Sequence, residues 1–477
     1  MGVEIPRIML AAPASGAGKT TLACALLQAL VDAGHVPAAF KCGPDYIDPL
    51  FHRRIVGTAS GNLDLFFTDG QRARELLVRG AAGCDIAVLE GVMGYYDGVT
   101  GAGTQGSSYH VARATQSPVV LVLQARGAAL SLAALVKGFA EFRADANIRG
   151  VILNKCTRRG YEAAKECIER ETGVEVLGFV PDDARFAIES RHLGLVTADE
   201  TAGLKRKVAL LAHALRESVA LERLVQLARS APVLDARPYR CEPLDEARGL
   251  SLAYARDEAF CFYYEENLRM FEDLGVRLVP FSPLADEPLP RGVAGLYLGG
   301  GYPELHCPRL AASGRTRASV RAAVNAGLPT IAECGGFMYL QQSIEDADGT
   351  SWPMAGVLPG ASRNTGRLGN FGYARATATR DTMLLPCGQS VNVHEFHYWA
   401  SSEEGDALRA EKANGTGWEC MVCTPSLQAG YPHIYYPGNP AMLQRLVRAM
   451  AAWRGGAGEG AGVPGTGPHA HGKGAVR

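Results

Sequence analysis

The sequence predicts an α/β protein of two domains, a doubly wound and mostly parallel sheet with a phosphate-binding loop followed by a second α/β domain. Three observations predict it. A Gly–Lys–Thr loop joins an apolar run to a helical one at 12–21, short apolar runs alternate with amphipathic stretches after it, and a second alternation starts beyond a break rich in Pro, Arg and acids at 230–250.

A chain of 477 residues exceeds one ordinary domain. With 48 Lys and Arg against 49 Asp and Glu, the charge balance gives no electrostatic reason to expect nucleic acid or an anionic membrane as partner. No charged-then-apolar leader precedes the first strand and no apolar run has bilayer length, so a cytoplasmic protein is expected. The 12 cysteines are scattered as in reduced proteins, and Cys420 and Cys423, lacking a second spaced pair, read as ordinary thiols.

In chain order, 7–12 reads as a buried strand and 22–31 as a helix, with Ala12–Pro13–Ala14–Ser15–Gly16–Ala17–Gly18–Lys19–Thr20–Thr21 between them. Small residues let successive N–H groups turn onto a polyphosphate, and the helix start adds its positive end. Ser15, Gly16, Gly18, Lys19, Thr20 and Thr21 are therefore nucleotide-binding candidates, with Lys19 reaching the terminal phosphates and the Thr20 hydroxyl on Mg²⁺. Pro13 departs from the strict pattern, which has Gly there.

Further strands are predicted at 37–42, 86–91, 119–124 and 150–154, and in such sheets ligands sit at the carboxyl ends. Polar residues follow each run. Lys41, Asp45, Tyr46 and Asp48 come after the second, and Glu90 to Asp97 after the third. Carboxylates converging on a phosphate cradle call for Mg²⁺, with Thr20, Asp48 and Glu90 as candidate ligands. Lys41 joins the nucleotide set, and Asp45, Tyr46, Asp64 and Asp97 are candidates for substrate contact or support. Asn154 ends the fifth run, where nucleotide-binding folds often read the base. Spacing assigns no chemistry to Asp182, Asp183 or 189–195, and 205–229 reads as one or two helices closing a first domain of 1–230, with a linker at 231–248.

The second domain, 249–454, has predicted strands at 250–254, 276–281, 295–298 and 329–332 and a helix at 264–274. Gly299, Gly300 and Gly301 form a loop suited to an oxyanion, with Gly300 and Gly301 as its candidate donors. Cys334 in Ala332–Glu333–Cys334–Gly335–Gly336 sits where a strand turns into a helix, exposing the thiol and placing it where a helix start would lower its pKa. A thiol nucleophile needs a base, and His433 is the best placed, with His394 and His397 as competitors. Those two would face opposite sides of a strand, so a shared metal is not expected. The tail at 455–477, low in core-forming residues, is expected to be disordered, with His469 and His471 inert.

Taken together, Phe40 to Pro49, Glu90 to Gly94, 189–195, 298–305, 332–340 and His394 to Tyr398, in this order, resemble the cobyrinate a,c-diamide synthases. The resemblance covers nearly everything from Arg7 to Trp453. It implies a synthetase domain similar to dethiobiotin synthetase and a class I glutamine amidotransferase domain, which use ATP, Mg²⁺ and glutamine to amidate two acetate carboxylates of a corrinoid. Cys334 would then be the glutaminase nucleophile, His433 its activator, and Asp45, Asp48, Glu90 and Asp97 part of the ATP, metal and corrinoid side. It also carries the expectation of a homodimer. Three positions depart from the pattern: Ala332 replaces a Gly, Tyr435 stands where a third triad member is sought, and Gln124 replaces an Asp. A cobalt-free corrin or nickel-sirohydrochlorin would suit the same machinery. A regulatory P-loop ATPase with a silent second domain is the alternative of a different class.

Overall fold

The computed structural model describes residues 2–186 and 198–457. The run at 189–195 and the tail beyond 457, with His469 and His471, lie outside the described residues.

The first half is built on a seven-stranded sheet of β1 (Arg7–Ala11), β2 (Pro37–Cys42), β3 (Ala59–Leu63), β4 (Ile86–Glu90), β5 (Val119–Gln124), β6 (Ile148–Asn154) and β7 (Glu175–Val180). Their spatial order is β3-β2-β4-β1-β5-β6-β7 and every pairing is parallel. Buried on both faces, β1 and β4 have no exposed residue to alternate with, which is why they read as continuous apolar runs. The order reverses beside β1, and there the phosphate loop leads into α1 (Lys19–Asp32). The five-residue α2 (Ile47–Phe51) follows β2, and α3 (Ala198–Ser218) with α4 (Leu221–Arg229) closes this half, so 205–229 is two helices.

Strand β3 is buried over four of its five residues, yet its Ala–Ser–Gly–Asn–Leu carries too little apolar signal to be predicted. The linker is packed down rather than free. Leu234–Asp235 pairs antiparallel with Gly2–Val3, and the buried Arg7 guanidinium donates to the Pro232 carbonyl at 2.8 Å.

The second half holds a parallel sheet of β8 (Ser251–Ala255), β9 (Arg277–Phe281), β10 (Gly295–Leu298) and β11 (Thr330–Glu333), with α5 (Glu265–Asp273) between its first two strands and α6 (Gly335–Leu340) directly after β11. A second, mostly antiparallel sheet was not predicted. Its long strands β12 (Ala361–Ala378) and β13 (Ser390–Ser401) are paired with register shifts at Gly369 and Gly372. Much of β12 is exposed and polar, so neither period stands out. After it come β14 (Leu427–Gly430), which rejoins the parallel sheet beside β11, β15 (His433–Ile434), which pairs with β13, and the last helix α7 (Pro440–Ala457).

The two halves share one buried cluster that includes Phe67 and Tyr95 from the first and Tyr264, Phe271 and Tyr435 from the second. Arg79 and Asp273 join across it in a two-point contact at 2.5 and 2.8 Å. Among the described residues no helix is long and apolar enough to cross a membrane.

Candidate active site

The loop after β1 borders a cleft of about 450 Å³ lined by Ser15, Gly16, Gly18, Lys19, Thr20, Thr21, Lys41, Asp45, Asp48 and Asn154. Gly18, at φ +89°, supplies the left-handed turn that starts α1. The Lys19 ammonium donates to the Ala14 and Met93 carbonyls at 3.1 and 2.5 Å, folding its side chain along the loop. Met93 was not predicted as part of the cradle, and its signal, a non-glycine φ of +46°, exists only in three dimensions. Pro13 begins the loop with its carbonyl against Gly94, where a Cβ would approach to 2.5 Å. Asn154, which lines the cleft, also braces the loop. Its Nδ2 donates to the Ala17 carbonyl at 2.9 Å, and Gln124 Nε2 braces the Gly16 carbonyl at 2.8 Å.

Beside the cradle, Lys41 Nζ lies 2.6 Å from both Asp48 Oδ2 and Glu90 Oε1, all almost fully buried. Burial alone would drive the ammonium toward neutrality, and the two carboxylates more than reverse this, so its pKa is raised. Glu90 feels the same burial, but Lys41 and His52 outweigh it and hold the carboxylate ionised. The Thr20 hydroxyl is 3.2 Å from Asp48 Oδ2 and also hydrogen-bonds Glu90 Oε1. Thr20, Asp48 and Glu90 thus offer hard oxygen donors at the edge of the phosphate cradle, a set that suits Mg²⁺.

The supporting candidates scatter. Asp45 lines the cleft and caps the start of α2 by accepting from Ile47 N and Asp48 N at 2.7 and 3.1 Å. Asp97 accepts from Gly94 N at 3.1 Å, holding a turn rather than lining the cleft. Asp64 is likewise outside the lining. It accepts from Phe66 N at 2.7 Å and from the Tyr373 hydroxyl of the second half at 2.5 Å, and burial pushes its carboxyl up to about 6. Tyr46 turns away from the cleft and packs on His433, with ring centroids 4.8 Å apart. One short loop therefore carries Asp48 to the acid cluster and Tyr46 to the imidazole of the other half.

Cys334 has φ +49° and ψ −106°, a strained kink between β11 and α6 that matches the predicted strand-to-helix turn. Its N–H donates to the Gly430 carbonyl at 2.8 Å, which fixes the turn beside β14. The predicted lowering of the thiol pKa is not found. Burial raises it, with Glu304 adding to the rise and the Gly335 N–H opposing it, and the six-residue α6 is too short to compensate. A protonated thiol makes a neighbouring base necessary.

His433 and the elbow border the same glycine loop. A Cβ on Gly300 would come within 2.5 Å of His433 Cε1, and one on Gly335 within 3.1 Å of the Gly301 amide nitrogen. The oxyanion candidates thus lie between the elbow and the imidazole, whereas the Gly299 N–H is already committed to the Tyr263 hydroxyl at 2.9 Å. Gly300→Ala should displace the ring and lower glutamine hydrolysis by about 10²-fold, the usual cost of roughly 1 Å of misplacement. Unchanged hydrolysis in that variant would contradict the placement. His394 lies opposite His433 in the strand register, and His397 bonds Glu395 and stacks on Tyr431, so the two competitors face different surroundings as expected.

Glu304, just beyond the glycine loop, is buried and its carboxyl is pushed up to about 8. The folded chain therefore binds a proton that the unfolded chain, with a pKa near about 4.3, has released, and stability falls as pH rises between these values. Melting midpoints should fall from about pH 5 to about pH 8 in the wild type and fall less in Glu304→Gln. Parallel curves would show that Glu304 does not contribute.

Two family models match the chain: a CobQ/CobB/MinD/ParA nucleotide binding domain over 8–196 and a CobB/CobQ-like glutamine amidotransferase domain over 251–440. The cobyrinate a,c-diamide synthase of Caldanaerobacter subterraneus subsp. tengcongensis is 40% identical over 447 residues, covering 92% of this chain and 97% of the relative. The chain belongs to the cobyrinate a,c-diamide synthase family. Two more members have the same extent: that of Priestia megaterium is 36% identical over 94% of this chain and 97% of its own, and that of Streptococcus sanguinis 40% over 92% and 97%. The phosphate cradle lies within the nucleotide-binding match, and the Cys334 elbow and His433 within the amidotransferase match.

Proposed function

We propose that this chain uses ATP and glutamine to convert the a and c acetate carboxylates of cobyrinate to amides, one after the other. The observation that carries this is the joining of two half-sites by one loop. Asp48 stands in the acid cluster beside the phosphate cradle while Tyr46, two residues earlier, lies against His433.

A carboxylate resists ammonia because its charge repels nucleophiles and oxide is a poor leaving group. In the proposed first half-reaction a carboxylate oxygen attacks the γ-phosphorus of ATP and ADP leaves, with Lys19 and the loop amides orienting the phosphates. Thr20, Asp48 and Glu90 would hold Mg²⁺, which supplies charge neutralisation on the transferred phosphoryl group. Lys41 keeps Glu90 ionised for that role and holds Asp48 beside it. In the second, Cys334 gives its proton to His433 and attacks the glutamine amide carbon, with Gly300 and Gly301 facing the oxyanion. Ammonia leaves with the proton that His433 returns, and water releases glutamate from the thioester. The ammonia then displaces phosphate from the acyl phosphate, and passage inside the protein would keep it unprotonated. A cytoplasmic location and a homodimer belong to the proposal through the family resemblance alone.

The test is product mass. With ATP, Mg²⁺ and glutamine, cobyrinate should yield a product bearing two new amides, with ATP consumed for each. Amidation of hydrogenobyrinate or nickel-sirohydrochlorin in preference to cobyrinate would replace the substrate, and ATP turnover without amide formation would refute the activity.

A further inference from the structure

A neutral imidazole accepts a thiol proton through one nitrogen only when the other holds its proton, so a catalytic histidine usually has an acidic partner. The residue two beyond His433 cannot supply one. It is Tyr435, whose hydroxyl donates to the Asn62 carbonyl at 3.2 Å and whose ring stacks on Phe67, both in the first half. We propose that Glu333, the residue immediately before the nucleophile, is the positioning residue that orients His433 and fixes its tautomer.

Glu333 Oε2 lies 3.7 Å from His433 Nδ1, and both side chains are only 2% exposed. The gap is just longer than a hydrogen bond, as catalytic contacts often are before substrate binds. Among the described residues His433 Nδ1 has no hydrogen-bond partner, and Glu333 is its only carboxylate within ion-pair distance. The carboxylate is itself held, because the Tyr297 hydroxyl donates to Oε2 at 2.9 Å and Ile434 N to Oε1 at 3.4 Å. Three other neighbours of the imidazole bring it no charge. They are the Tyr46 ring, Gly300, and His394, which burial lowers to about 3 and so keeps neutral.

The local chain explains how adjacent residues reach one centre. Successive side chains on a strand point to opposite faces, but the kink at Cys334 ends that alternation. Register does the rest: Glu333 pairs with Gly430 at the end of β14, and three residues later the chain returns His433 over the same strand end. A hydrogen bond from Nδ1–H to Glu333 leaves Nε2, on the ring edge beside Gly300, to take the thiol proton. The inference rests on the assignment of Cys334 and His433 as the glutaminase pair.

The test is Glu333→Gln in the full chain, which keeps the side-chain size and removes the charge. Glutamine hydrolysis should lose about 10²–10⁴ in kcat with KM unchanged, as when a triad carboxylate becomes an amide. Alkylation of Cys334 by iodoacetamide, followed by mass spectrometry of its peptide, should slow in parallel. Amidation driven by added ammonium should persist, which shows that the variant is folded. A kcat within about threefold of wild type would overturn the inference, as would equal loss of ammonium-driven amidation. A wild type unable to hydrolyse glutamine would instead refute the assignment of the pair.

Discussion

Cys334→Ala should abolish glutamine-dependent amidation and leave ammonium-dependent amidation close to wild type. Removing a nucleophile that forms a covalent intermediate costs on the order of 10⁴-fold or more, because no other group can split the reaction into two easier steps. The side chain is buried at a strained turn, and Ala fits the same backbone with less volume, so the elbow should survive. Initial rates with each nitrogen source measure the effect. Equal loss from both sources would mean that Cys334 also serves the phosphate side, contrary to the proposed division of labour.

Lys19→Ala should produce the complementary pattern. The ammonium lies along the cradle, held by the Ala14 and Met93 carbonyls, and only phosphate chemistry requires it. Its loss removes a preorganised positive charge from the transferred phosphoryl group, worth on the order of 10³-fold in the amidation rate with either nitrogen source. Glutamine hydrolysis by Cys334 should continue. If the variant amidated normally, the cradle would not be the site of ATP chemistry.

Much of this architecture was legible because the parallel sheets write themselves as short apolar runs. β1, β2, β4, β5 and β6, and later β8 to β11, fall within a residue or two of the predicted positions, and their carboxyl ends carry Lys19, Lys41, Asp48, Glu90 and Cys334. The antiparallel sheet was not legible, since β12 is Gly-rich, partly exposed and interrupted by register shifts. At the sites, residue type and spacing identified the groups but not their partners. Asp64 and Asp97 read as acids for substrate contact or support, and one holds a tyrosine and a turn while the other holds only a turn. Tyr46 read as a candidate for substrate contact or support, and packs on His433. Glu333 was hidden by its position, because a residue beside the nucleophile on a regular strand should point away from the site. Only the kink at Cys334 and the return of the chain from β14 bring the two together.

The most direct test of the central claim, that nitrogen freed at Cys334 is used at the phosphate cleft of the same chain, is an isotope competition. Cobyrinate, ATP and Mg²⁺ are supplied with glutamine labelled with ¹⁵N in the side-chain amide, at neutral pH, with unlabelled ammonium that outweighs the ammonia released from glutamine yet is too dilute to support appreciable amidation by Cys334→Ala. A diamide carrying ¹⁵N in both new amides is the predicted result. A product whose nitrogen matches the unlabelled ammonium would contradict it.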